Sequence, residues 1–137
     1  MAEAGVALLV GHPRLTSQAA PAGLHLHRPA KGKSEVVAAT IGLATRWGRS
    51  PIDRRHTVWT HGLTSDGTRA VRQAASFPHE AKWIALETSV GDCSRAGPWL
   101  AVALAAENAQ STGNPQLVLC GDGEGEELIA LVCRKQI

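Results

Sequence analysis

Three short stretches bring together residue types that can do chemistry. In "VWTHGLTSDGT", residues 58–68, an apolar run delivers His61 into a glycine-containing turn, the way an α/β enzyme presents an imidazole for proton transfer. In "ETSVGDCSRAG", residues 87–97, Asp92 and Cys93 stand just ahead of a helical pattern, where the helix dipole favours a thiolate and the adjacent carboxylate opposes it. In "CGDGEGE", residues 120–126, Gly121, Asp122, Gly123 and Gly125 form a third glycine-rich turn.

Several chemistries could be built from these residues. His61 acting as base for Cys93 would give a Cys-His nucleophile pair; the alternative is a small cysteine that fills space near a sheet. His61, Asp92 and Asp122 could share a metal ion, but no two of them have a recognisable ligand spacing, so no metal and no cofactor is expected. Backbone N–H groups of residues 121–125 could hold a small ligand. With Asp122, Glu124 and Glu126 beside them, a cation or neutral group suits that turn better than an anion. Cys120 and Cys133 lie inside strand patterns and read as core. His25 and His27, two apart, share a face only on a strand. The four tryptophans read as core or interface anchors.

The elements that position these residues follow from hydrophobic period and turn chemistry. "GVALLV", residues 5–10, reads as a buried strand and "LHLH", residues 24–27, as a brief edge strand inside a long proline-containing loop. From Ser34 the spacing of Val36, Val37, Thr40, Leu43, Ala44 and Trp47 predicts a helix, capped by Ser34 and closed by Gly48 in the left-handed conformation. "HTVWT" is a strand ending at His61. A helix runs from Asp66 to about Ser76 before Pro78, and "KWIALE", residues 82–87, is the next strand. "PWLAVALAAENAQ" is a helix apolar almost all round, with Pro98 in its first turn. "NPQLVLCG" and "EELIALVC" are strands whose six-residue connection "GDGEGE" permits only a reversal. The order β-α-β-α-β-α-β-β predicts an α/β mixed sheet with its last strand antiparallel and helices covering it. Three glycine turns then meet at the carboxyl ends of its strands.

Composition narrows the setting. With 137 residues, 44% hydrophobic and 19% charged, the chain, 1–137, has the content of a single globular domain. A net charge of +2 and one Phe with no Tyr argue against a nucleic-acid partner. The basic run at residues 46–56 reads as a helix end whose cations favour the negative end of the dipole. Three cysteines without a CxxC pair point to a reducing, cytoplasmic setting, and no stretch has the roughly 20 apolar residues of a membrane span.

This order of elements resembles the C-terminal half of β-ketoacyl synthases and the wider thiolase-like superfamily. The similarity rests on a strand ending in His-Gly, an amphipathic helix, and a strand leading into the family's "K-x-x-x-G-H" turn. A small-residue helix and a strand pair joined where the family has "GFGGTN" complete it. It includes the lead-in "LHLHRPAKGKSEVVAATIGLATRWGRSPIDRRHTVWTHG" and runs through nearly the whole chain. In working enzymes of that family a cysteine from the N-terminal half attacks an acyl thioester, while two histidines from the C-terminal half assist decarboxylation and stabilise the oxyanion. The resemblance carries the first histidine onto His61, the second onto Asp92, and the supporting lysine onto Glu87. It therefore implies a thiolase-like half degenerate at its catalytic positions: a pseudoenzyme acting as an interaction or scaffold module. The expected assembly is a homodimer or a heteromer with another thiolase-like chain, through the helix that carries Trp99. The alternative is a subunit or fragment of a condensing enzyme, completed by a nucleophile-bearing partner and acting on acyl-CoA or acyl-carrier thioesters.

Overall fold

The computed structural model describes residues 23–53, 55–74, 77, 78, 80–91 and 94–135. In chain order the elements are β1 (Leu24–Leu26), β2 (Ala30–Lys33), a 3-10 turn (Ser34–Val36), α1 (Val37–Trp47), β3 (Thr57–His61) and α2 (Ser65–Ala74). Then come β4 (Lys82–Ala85), α3 (Leu86–Val90), a 3-10 turn (Ser94–Ala96), α4 (Gly97–Thr112), β5 (Gln116–Gly121) and β6 (Glu127–Lys135). The strand read at residues 5–10 lies outside the described residues.

The strands form one mixed sheet in the order β1-β6-β5-β3-β4. β4, β3 and β5 are parallel, in register through Trp59 opposite Ile84 and Val118. β6 runs antiparallel to β5, as the short "GDGEGE" reversal demands. On its other edge the nine-residue β6 pairs with β1 near Lys135 and with β2 near Ala130.

Alternation along the central strands sends side chains to two faces, and each face is covered. Val58, Leu117 and Leu119 pack with Ile41 and Ala44 of α1 and Val71 of α2. Trp59, Val118 and Cys120 pack on the other face with Leu86 of α3 and Ala101, Val102 and Ala105 of α4. The small alanines let α4 lie close against the sheet. The buried Trp59 indole donates to Gln116 Oε1 at 2.7 Å, and Gln116 in turn donates to Asn114 O at 2.8 Å, so both side chains have hydrogen-bond partners inside the core.

Four local expectations differ from what forms. "AKGK" lacks strand alternation, yet Ala30–Lys33 pairs along β6, with Lys31 forming an ion pair to Glu127 at 3.2 Å. Ser34 does not cap α1; its hydroxyl donates to Gly125 O instead. Gly48 keeps right-handed backbone (φ −77°), and a Cβ there would come within 2.6 Å of Val132, so close approach is what requires glycine. β4 stops at Ala85, and Leu86 and Glu87 begin the short helix α3, which Gly91 terminates at φ 82°.

Candidate functional site

β3 and β5 end side by side, so their following turns meet. Gly62 takes φ 71°, and a Cβ on Gly62 or on Gly121 would come within 2.5 Å of the other residue's carbonyl oxygen. Two glycines are therefore needed for the turns to touch, and Gly123 N–H then donates to Gly62 O at 2.9 Å. α3 brings the third group: Glu87 Oε1 accepts the Gly62 N–H at 3.1 Å and lies 3.9 Å from His61 Nε2.

His61 is held tightly. Its side chain is only 11% exposed, and its ring lies against the first residue of α4, where any Cβ on Gly97 would overlap it. Nδ1 is buried with no hydrogen-bond partner among the described residues. The imidazole thus has one carboxylate near Nε2 and an unsatisfied ring nitrogen.

The turn after β5 is closed on itself. Asp122 Oδ1 accepts the N–H groups of Glu124, Gly125 and Glu126 at 2.9, 3.0 and 3.3 Å, and Oδ2 accepts that of Glu127 at 3.2 Å. These bonds, that of Glu124 first, hold the Asp122 carboxyl below the ordinary carboxylate range. The N–H groups of residues 123–127 that could have faced a ligand all have internal acceptors. Glu124 and Glu126 lie with Asp122 on the exposed rim, their carboxylates within 4.8 Å of one another.

Cys120 is buried beside this site, and burial followed by the Glu87 charge pushes its thiol up to about 11, which keeps it protonated at neutral pH. Burial alone does the same to Cys133. Asp92 and Cys93 lie outside the described residues. A cavity of about 200 Å³ opens on the other side of the turns, between α1 and α2, walled by Val37, Leu63, Ala70, Val71 and Leu128. The structure thus brings together His61, Glu87 and Gly121. It gives Gly62, the glycine of the His-Gly pair, a contact role, and it adds Gly97, which sequence reasoning had not singled out and whose only signal was a glycine at a turn-helix junction.

No family model and no curated protein matches the chain. Among solved structures it is similar to PksG, an HMG-CoA synthase from Bacillus subtilus, at TM-score 0.53 and 11% identity, over 73% of this chain and 28% of that one. It is also similar to the ishigamide ketosynthase/chain length factor, at TM-score 0.53 and 20% identity, over 82% of this chain and 35% of that one. The fold is that of a thiolase-like half, and the chain spans about a third of the length of these proteins. Among the described residues no helix is long and apolar enough to cross a membrane.

Proposed function

We propose that this thiolase-like domain is noncatalytic and serves as an interaction module, binding a second copy or another thiolase-like chain through the outer face of α4. The observation that carries this reading is Glu87, a carboxylate 3.9 Å from His61 Nε2. An oxyanion or enolate needs donors or positive charge around it, and an ionised acid in that position repels it. The resemblance puts a lysine where Glu87 stands and a second histidine where Asp92 stands, so two of three inherited roles have passed to acids.

The exposed surface of α4 supports the binding role. Trp99 is 60% exposed, and Ala103 and Ala106 continue its face at helical spacing. A largely exposed tryptophan on a small-residue helix is a typical interface anchor. Val90 of α3 is also exposed, at 40%.

A second reading makes the chain part of a condensing enzyme that handles acyl-CoA or acyl-carrier thioesters once a nucleophile-bearing partner completes the site. It is favoured by the retained His61 at the end of β3 and by the third of its neighbours' length that the chain spans. One experiment separates the two. The chain, alone and with any copurifying chain, is assayed for decarboxylation of a malonyl thioester. The interaction-module reading predicts no activity and unchanged partner binding in His61→Ala. Activity that His61→Ala abolishes would replace it with the second reading.

A further inference from the structure

The end of the sheet away from His61 gathers cations from separate stretches of chain. β6 is antiparallel to β5, so its last residues reach the level where β3 and β5 begin: Gln116 pairs with Cys133, and Thr57 with Gln116. Arg134 and Lys135 there join Arg49, which follows α1, and Arg55, which precedes β3, around a cleft of about 340 Å³. Ser50, Pro51, Gly113 and Pro115 complete its walls, and Asp53 is its one acid.

That acid is already used. Arg55 clamps the Asp53 carboxylate through Nε at 3.2 Å and Nη2 at 3.0 Å. Among the described residues, no ion pair involves Arg49, Arg134 or Lys135. Arg134 Nε donates to Gly48 O at 2.7 Å, which fixes the guanidinium and leaves its terminal nitrogens without a hydrogen-bond partner among those residues. Behind them His27 is held below its ordinary pKa by burial, then by the charges of Arg134, His25 and Arg49. The helix-dipole account of the basic run covers Arg46 in the last turn of α1. It does not cover Arg134 and Lys135, which arrive from β6.

Arg49 is the outlier in the backbone. It is the one non-glycine with positive φ among the described residues, at 48°, where an L side chain is disfavoured and glycine is not. The turn is fixed by Arg49 N–H to Arg46 O at 3.1 Å and Ser50 N–H to Thr45 O at 2.9 Å. An arginine held in a conformation better suited to glycine, beside two other uncompensated cations, is a local cost that a bound anion would offset.

We propose that this cleft binds a small phosphate ester. Guanidinium groups match phosphate oxygens two at a time, and a dianion compensates several cations where a single carboxylate cannot. The volume leaves room beyond the phosphate for an organic group against Pro51 and Pro115.

The test is calorimetric titration of the purified protein at low ionic strength with ribose 5-phosphate, ribose and inorganic phosphate, repeated on Arg49→Gly, Lys135→Glu and, as a control on the opposite end of the sheet, Lys31→Ala. The expected result is saturable binding of ribose 5-phosphate at least tenfold tighter than inorganic phosphate, with no binding of ribose. Arg49→Gly and Lys135→Glu each weaken it about tenfold, the usual worth of a charge-assisted contact, while Lys31→Ala leaves it unchanged. Arg49→Gly relieves the backbone, so its melting temperature stays level or rises and misfolding cannot account for the loss. Absence of saturable binding, equal affinity for the ester and the free ion, or indifference to both cleft variants would each overturn the proposal.

Discussion

Glu87 Oε1 accepts the Gly62 N–H at 3.1 Å and stands 3.9 Å from His61 Nε2, so one carboxylate ties the turn after β3 to the helix after β4. Its role in this fold is structural. Glu87→Ala is expected to cost about 1 kcal/mol, the net worth of one such bond at a half-exposed site, and Glu87→Gln to cost less because its amide oxygen still accepts. Urea midpoints of the two variants check this.

His61 and Gly97 are coupled by contact. A methyl at Gly97 overlaps the imidazole, so Gly97→Ala is expected to cost about 1–3 kcal/mol as an overpacked site. His61→Ala, which removes a ring with an unsatisfied nitrogen, should preserve the fold and recover most of that loss in the double variant. A double-mutant cycle by chemical denaturation measures the coupling; additive losses would show that Gly97 is needed for a different reason.

The sheet and its helices were legible where burial imposes a period. β5 reads as a continuous apolar run because both faces of the central sheet are covered, β6 alternates along much of its length, and α2 and α4 announce themselves by helical spacing and Pro98. β2 was not legible: its lysines and glycine have no strand pattern, and it exists because β6 is long enough to offer a second stretch of edge. The α3 boundary was hidden because Ile84, Ala85 and Leu86 continue an apolar run across the change from strand to helix. At the site, the convergence of His61, Glu87 and Gly121 followed from element order. The Asp122 bonds that close its own loop did not, since a carboxylate in a glycine turn reads equally as a ligand or a cap.

Acid should destabilise the fold in a defined window. His56 is fully buried, with Nδ1 accepting the Asp53 N–H at 3.1 Å, which places its proton on Nε2 toward Ser50 Oγ at 3.0 Å. Burial holds its pKa below the ordinary 6.5 despite the opposing pull of Asp53, and burial also leads in lowering that of His27. Unfolding lets both rings take up protons that the native state refuses. Stability is therefore full above pH about 6.5 and falls as pH drops below it. Denaturation midpoints at several pH values should show this slope, reduced in His56→Gln; a gain in stability on acidification would contradict the assignment.

The two described cysteines should be inert. With both thiols pushed up to about 11 and buried, alkylation of Cys120 and Cys133 at pH 8 is expected only on unfolding, with the modified positions read by peptide mass mapping. Rapid native-state modification of Cys120 would mean that a nucleophile exists beside His61.

Binding of another protein chain through the face of α4 that carries Trp99, the proposed role, is open to direct measurement. Light scattering gives the most direct test: the solution mass of the purified protein, and of the assembly captured from its source, each compared with Trp99→Asp. The expected result is a dimer or a stable heteromer that Trp99→Asp reduces to a folded monomer. A monomer in both preparations, or an assembly indifferent to Trp99→Asp, would contradict it.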